Sequence, residues 1–517
     1  MIKKIREAYQ SGAANRAALN TLVIYVQRIF AAGLSLITTP IILKALGVEN
    51  YGIYTLTLGF VGMLAVLNWS LSSATQRYTA FAIGERDFEK LKKVFSTALV
   101  IHFLYGLLLF LVIAAIGYFF VEDVLNIPPD KLGDAKKVLY IVALLSFINI
   151  MTIPFLGILR TKQNFVVIAL VGIIESILKL GIALLILYYI SDKLVVYALL
   201  LMVIALVSLC IYTITINRKY KIVAITYKFY DKAQAKEMFS FLSWSLLGSL
   251  ALTSRNEGVQ VLINIFFGVV RNAAYGIAMQ VSVAMSILSQ GIIGSISPQI
   301  IKSAGAGDTA KMIFLMRTMS KFATFSISII VIPVFFACEM ILKIWLTNVP
   351  EDTVTYVRLI IIFGQIMLLS AGIQTVFDSL GKVKLYNIWV SIILLFNLPI
   401  AYVFFKLDYP SYTIIIIGMC LELISLNIRL VLLKKYVAFS IKQFWYDAVF
   451  RVVVPTLTVS VVIYYFMKLD LNNYWSIIGA FLLTILIYPM LIYNFALEAK
   501  QKEIVSDMVS KIVKKRK

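Results

Sequence analysis

The sequence is long, apolar and basic. Of its 517 residues, 61% are hydrophobic and only 14% are charged, and the mean hydropathy is +0.92. This composition excludes a soluble globular protein and indicates an all-α polytopic membrane protein. The formal net charge of +22 would by itself also suit a nucleic-acid-binding protein, so the placement of the basic residues has to decide between the two.

Apolar runs of about twenty or more residues, each long enough to cross a bilayer, recur along the whole chain. They predict fourteen spans, near 20–44, 52–76, 94–121, 137–159, 164–190, 194–217, 239–267, 273–298, 319–345, 353–378, 384–405, 411–433, 448–467 and 474–496. The first two spans, joined by a tight turn at 46–52, form a unit that later spans repeat or elaborate.

The basic residues alternate between the two sides of the predicted membrane. Segments on the side of the N-terminus hold 34 of the 48 lysines and arginines, those on the opposite side hold nine, and five fall inside spans. The positive-inside rule therefore places both termini in the cytoplasm. Because basic inner loops also suit anionic lipid headgroups, they account for most of the net charge, and we expect no nucleic-acid partner.

The chain repeats itself at an offset of 221 residues. Gly47 after the first span returns as Gly268 after the seventh, and Asp87 in a cytoplasmic connection returns as Asp308. The shared offset predicts two six-helix halves related by a pseudo-two-fold axis along the membrane normal, which would enclose a central cavity. The predicted divisions are an N-lobe 1–230, a C-lobe 231–440, spans thirteen and fourteen in 441–497 and a basic cytoplasmic tail 498–517.

Arginines inside spans are the first candidates for substrate binding. A charged side chain in a membrane span costs about 2.5–3.5 kcal/mol, so each needs water or a partner. Arg28 lies about a third of the way into the first span, and Arg255 lies near the middle of the seventh, beside Asn256 and Gln260 on a polar stripe. We expect these four residues to face a wet cavity and bind an anion; the alternatives are snorkelling for Arg28 and structural ties for both arginines.

Other charged residues are weaker candidates. Arg77 at the cytoplasmic end of span two could meet the substrate first, or serve only topology, while Arg271 and Arg358 at the outward ends could release it. Glu175 and Lys179 are spaced i, i+4, which favours a structural ion pair on one helix.

No phosphate-binding loop for ATP occurs, which leaves coupling to H+ or Na+, the membrane potential, or downhill movement. Glu257, Glu422 and His102 are the ion-coupling candidates, although a lone membrane histidine is more often a packing residue. The three cysteines lie far apart in apolar runs, so neither a disulfide framework nor a metal site is expected. We predict no catalytic residue and no cofactor.

Two groups of short motifs carry a family resemblance. The first comprises Asn20, Arg28, Pro40, Leu46-Gly47, Tyr51-Gly52-Ile53-Tyr54, Arg77 and Gly84. The second comprises Pro298-Gln299-Ile300, Gly307-Asp308, Gln374 and Gly381-Lys382-Val383-Lys384-Leu385-Tyr386. The pattern resembles the Wzx-type polysaccharide and O-antigen flippases of the multidrug/oligosaccharidyl-lipid/polysaccharide (MOP) exporter superfamily.

The resemblance implies a V-shaped, two-lobed transporter of the bacterial cytoplasmic (inner) membrane. Such a protein moves an undecaprenyl-diphosphate-linked oligosaccharide from the inner to the outer leaflet by alternating access, and a polysaccharide polymerase or ligase is an expected partner. Spans thirteen and fourteen would offer a groove for the polyprenyl tail. The alternative is a cation-coupled, drug-type exporter of the same superfamily, for which twelve spans would be usual. A membrane enzyme would need a sizeable outward loop, whereas the longest outward connection, 122–136, has about fifteen residues.

Overall fold

The structure, a computed structural model, describes residues 13–64, 68–85, 87–188, 192–220, 229–346, 348–380, 382–469, 475–499 and 501–502. Within these ranges the chain is helical and contains no strand. The helices are α1 Ala13–Leu46, α2 Val48–Leu64, α3 Asn68–Gly84, α4 Phe88–Phe119, α5 Leu132–Thr161, α6 Phe165–Tyr188, α7 Lys193–Tyr220, α8 Lys232–Gly305, α9 Thr309–Phe336, α10 Cys338–Trp345, α11 Thr353–Leu368, α12 Ala371–Leu380, α13 Val383–Leu395, α14 Asn397–Lys406, α15 Thr413–Lys434, α16 Ile441–Phe444, α17 Arg451–Leu469 and α18 Trp475–Leu491.

The described residues contain twelve helices that are long and apolar enough to cross a membrane. Two places account for the difference from the fourteen predicted spans. The second predicted span falls on α2 and α3, which have 17 residues each and flank residues 65–67, outside the described ranges. Predicted spans seven and eight both lie in α8, whose backbone leaves helical geometry at Gly268. The all-helical, multi-span architecture predicted from the sequence is confirmed.

The predicted repeat is present in the backbone geometry. Gly47 and Gly268, 221 residues apart, have φ angles of 79° and 78°, a left-handed conformation that glycine adopts without the steric cost of a Cβ atom. Asp87 caps the N-terminus of α4 and Asp308 caps that of α9, and each carboxylate accepts a hydrogen bond from the backbone N–H three residues on. The same turn and the same cap therefore recur in both halves.

The chain packs into two compact units. The first contains residues 1–277, 346–351 and 402–411, and the second contains 278–345, 352–401 and 412–517. Apolar side chains from several helices form the core of each: Phe95, Phe155, Ile158 and Tyr212 in the first unit, and Met316, Met319, Phe377, Leu426 and Phe444 in the second. This division follows packing, whereas the lobes 1–230 and 231–440 follow the sequence repeat and remain a prediction.

Within the first unit, α2 lies directly against α8. A Cβ atom on Gly52 would be 2.2 Å from the carbonyl oxygen of Val269, and one on Gly59 would be 3.0 Å from Oε1 of Gln260. Farther along, Gly62 packs in the same way on the carboxyl group of Glu257. Small residues let membrane helices approach this closely. Here the glycines of α2 pack against the part of α8 that carries Glu257 and Gln260.

Candidate functional site

Two arginines from different helices of the first unit interact electrostatically. The Arg28 side chain on α1 is exposed, and its positive charge interacts with that of Arg160 at the end of α5. Arg160 is half-buried and donates a hydrogen bond to Oγ of Ser72 on α3, at 3.3 Å. Since like charges repel, the pair is stabilised by any anion that lies between or beside the two guanidinium groups.

The same group of side chains includes one acid. The hydroxyl of Tyr212 on α7, which is buried, interacts electrostatically with both Arg160 and Glu175. Glu175 on α6 is half-buried, whereas Lys179 one turn later is exposed. Among the described residues no ion pair joins Glu175 to Lys179, so the predicted pair along one helix is not formed there.

We call Arg28, Arg160, Ser72, Tyr212 and Glu175 the arginine cluster. Its two cations outnumber its one acid, and both cations are guanidinium groups, which stay protonated and bind phosphate or carboxylate oxygens through two parallel hydrogen bonds. The cluster can therefore hold an anionic group inside a membrane protein. Sequence reasoning found Arg28 but missed Arg160, because Arg160 falls in a predicted cytoplasmic connection and was counted only as a topology signal.

Three of the predicted binding residues cannot be placed as side chains. Arg77 lies in α3, and Arg255 and Asn256 lie in α8, but their side chains fall outside the described part of the structure. Gln260, one turn after Asn256, is half-buried against α2, and its Oε1 atom is buried without a hydrogen bond among the described residues. Binding roles for these four residues stay predictions.

The two arginines predicted for substrate release have protein partners. Arg271 forms an ion pair with Glu351, Nη2 to Oε1 at 3.0 Å, and stacks on the Phe267 ring. Arg358 donates from Nε to the carbonyl oxygen of Phe335 at 3.2 Å and lies over the Phe335 ring. These contacts favour a structural role for Arg271 and Arg358, because a side chain must break its existing contacts before it can bind a substrate.

The ion-coupling candidates differ in their surroundings. Glu422 and Arg429, two turns apart on α15, form a buried ion pair at 3.0 Å, so this acid is neutralised by its own helix. His102 is fully buried and its Nδ1 lies 2.7 Å from the carbonyl oxygen of Ala98, which fits a packing residue. Glu257 is half-buried against Gly62, and no ion pair to it is formed among the described residues.

A buried polar network in the second unit was not predicted. Lys321, at the start of predicted span nine, was counted with the basic residues of the preceding cytoplasmic segment, but it is fully buried. Its Nζ donates to the carbonyl oxygen of Ala496 at 2.8 Å and to Oε1 of Gln501 at 3.0 Å. Gln501 donates in turn to the Thr318 hydroxyl. These bonds hold the chain after α18 against α9. Within the described ranges no cluster of three metal-ligating side chains occurs.

Residues 24–185 match the MatE protein family. The uncharacterized membrane protein EpsK of Bacillus subtilis (strain 168) is 32% identical over 122 residues, and the match spans 24% of this chain and 24% of that protein.

Solved structures share the fold over most of the chain. An inward-facing multidrug resistance MATE family transporter of the MOP superfamily has a TM-score of 0.65 at 16% identity, covering 80% of this chain and 99% of its own. The lipid II flippase MurJ, in an inward closed conformation, has a TM-score of 0.70 at 17% identity, covering 92% and 98%. A Pyrococcus furiosus MOP transporter described as having a binding pocket of reversed polarity has a TM-score of 0.58 at 15% identity, covering 80% and 94%. The chain therefore shares the fold of the solved MATE transporter and MurJ structures, and its residues 24–185 match the MatE family.

Proposed function

We propose that the protein is a flippase that moves an undecaprenyl-diphosphate-linked oligosaccharide, such as an O-antigen or capsule repeat unit, from the inner to the outer leaflet. The observation that carries the proposal is that Arg160, held by its hydrogen bond to Ser72, interacts electrostatically with Arg28 in a cluster where cations outnumber acids. A diphosphate headgroup is strongly anionic and hydrated, so its carrier must offer fixed cations inside the membrane. Arginine suits this task because its planar fork matches phosphate oxygens.

A cation-coupled exporter of small molecules is the alternative, since drug-exporting MATE transporters share the fold. Two observations favour the flippase. The excess positive charge of the arginine cluster would repel a cationic drug. The alignment with the lipid II flippase MurJ covers 92% of this chain, whereas that with the MATE structure covers 80%. A smaller part of this chain therefore lacks a counterpart in the flippase.

The remaining parts of the proposal follow from the flippase role. The protein would work by alternating access in the bacterial inner membrane, with both termini in the cytoplasm and with a polysaccharide polymerase or ligase receiving its product. No cofactor is required. If transport is coupled to H+ or Na+, Glu257 is the preferred acid, because Glu422 already has a buried partner.

Substitution of either arginine is expected to slow transport of a lipid-linked oligosaccharide. In proteoliposomes supplied with an undecaprenyl-diphosphate oligosaccharide, Arg28→Ala and Arg160→Ala should each lower the flipping rate by about tenfold, because each removes a charge-assisted contact to the diphosphate. The variant Arg255→Ala is measured in the same flipping assay. Flipping is measured as the amount of glycan that a lectin or glycosidase reaches in the outer leaflet.

Lys179→Ala is the matched control, because Lys179 is an exposed cation on α6 without an ion pair among the described residues. It should flip at the wild-type rate. Size-exclusion profiles and thermal unfolding would show that the arginine variants remain folded. Wild-type rates in both variants would remove the cluster from the mechanism. A well-folded wild type that moves small cations but not the lipid would favour the exporter.

A further inference from the structure

A cavity of about 250 Å³ lies at the turn between α8 and α9, entirely within the second unit. Six residues line it: Gln299, Lys302, Ser303, Ala306, Asp308 and Lys311. The chain reverses tightly here, with Gly307 at a φ of 70°, so the last turn of one helix and the first turn of the next form the walls. None of these residues belongs to the arginine cluster.

The cavity carries excess positive charge. Lys302 and Lys311 are exposed, and neither forms an ion pair with any described residue. The acid beside them is already engaged, because Oδ1 of Asp308 accepts a hydrogen bond from the backbone N–H of Lys311 at 3.0 Å and caps α9. The lining therefore has one net positive charge.

A hydroxyl of a largely buried residue lines the same cavity. Ser303 is only 5% exposed, and no described residue forms a hydrogen bond with its side chain, so the hydroxyl is available to a ligand in the cavity. Together with the Gln299 amide, which also lines the cavity, the hydroxyl offers a neutral donor beside the two lysines.

The internal repeat shows that this charge pattern is not a general property of the turn. The positions 221 residues earlier are Tyr78, Phe81, Ala82, Glu85, Asp87 and Lys90. In that half, Glu85 and Lys90 form an ion pair at 2.7 Å, and the set has one net negative charge. In the second half Ala306 replaces the acid, so Lys311 is left without the partner that its counterpart has.

We propose that this cavity binds a phosphate or diphosphate group, either on a lipid headgroup or as a free anion. Two ammonium groups, a serine hydroxyl and an amide can together donate to several phosphate oxygens, and hydrogen bonds from charged donors are the stronger kind. The cavity is large enough for such a group and open to the lysine side chains. The site is independent of the flippase proposal, because it uses different residues in a different unit.

Binding is tested with the full chain in a neutral detergent and with radiolabelled inorganic pyrophosphate, by equilibrium dialysis. A second arm uses nanodiscs of phosphatidylcholine with or without phosphatidylglycerol, and native mass spectrometry counts the anionic lipids that stay bound. Binding in the first arm identifies a free anion as a ligand, and binding in the second identifies a lipid headgroup. Both should weaken as salt is added, because the lysines are exposed.

Two variants remove the site by opposite routes. Lys302→Gln with Lys311→Gln deletes the cations, and Ala306→Glu supplies the acid that the first half has, so that Lys311 gains an internal partner. Each should weaken binding by about tenfold or more. The control is Lys90→Gln, an equivalent lysine that already has a partner, and it should bind as the wild type does.

Lys302, Ala306 and Lys311 are exposed and Lys90 is partly exposed, so all the variants should fold. Ligand binding that is unchanged in the double variant and in Ala306→Glu would overturn the proposal. Absence of binding by the wild type in both arms would overturn it as well. Loss of binding in Lys90→Gln to the same extent would show a general charge effect in place of a site.

Discussion

Arg429→Met is expected to lower the free energy of unfolding by about 3–5 kcal/mol, because it leaves the Glu422 carboxylate buried without its partner. Glu422 is 2% exposed and Arg429 is 6% exposed, and their side chains meet at 3.0 Å. Arg429 also donates to the Ser370 hydroxyl and lies over the Tyr386 ring. Unfolding in mixed micelles with increasing SDS, followed by tryptophan fluorescence, measures the change.

The double variant Glu422→Gln with Arg429→Met distinguishes the effect of the unpaired Glu422 charge from the effect of losing the other contacts of Arg429. It removes both charges, so it should recover much of the lost stability, since a buried pair contributes little net stability over neutral side chains. If the double variant is no more stable than Arg429→Met, the loss comes from the contacts to Ser370 and Tyr386. A single variant as stable as the wild type would mean that Glu422 does not depend on Arg429.

Gly52→Ala is expected to destabilise the protein by about 2–3 kcal/mol, because a Cβ atom there would lie 2.2 Å from the carbonyl oxygen of Val269 and overpacking forces backbone shifts. The contact is with backbone, which cannot rotate away as a flexible side chain would. The same SDS titration measures the effect, and Gly372→Ala, whose Cβ would meet the carbonyl oxygen of Met316 at 2.2 Å, repeats the test in the second unit.

Gly33→Ala is the matched control, because Gly33 also lies in a helix but has nothing within 4 Å of the added atom. Alanine has the higher helix propensity, so this change should be neutral or stabilising by up to about 1 kcal/mol. Equal losses at Gly33 and Gly52 would point to a cost of alanine in these helices generally, and the close approach of α2 to α8 would not explain it.

Several features of the fold could be predicted because their causes are local in the sequence. An apolar run of about twenty residues predicts a span wherever it packs, and twelve such helices are present among the described residues. The repeat was visible because Gly47 and Gly268 are needed at turns with positive φ, and because Asp87 and Asp308 cap helices through their own backbone neighbours. None of these depends on which helices are adjacent.

The span count differed where local hydropathy is an incomplete guide. The long α8 holds two predicted spans, and a single glycine at residue 268 changes the chain direction without interrupting the apolar pattern. The second predicted span, 52–76, includes residues 65–67, which lie outside the described ranges, so it stays a prediction. Length and composition identified the membrane class, but not how each span is divided.

Only the tertiary structure decided which charges meet. Arg160 donates a hydrogen bond to Ser72 on α3 and interacts electrostatically with Arg28 on α1, and Glu175 on α6 interacts electrostatically with Tyr212 on α7. Lys321, counted in the sequence with the basic residues of a cytoplasmic segment, is enclosed by residues more than 170 positions away. The physical reason is that a charged side chain in a membrane helix is stabilised by whichever polar group the neighbouring helix presents. The sequence by itself determined the membrane class, most of the spans and the repeat, while helix packing determined which polar partners each charged side chain has.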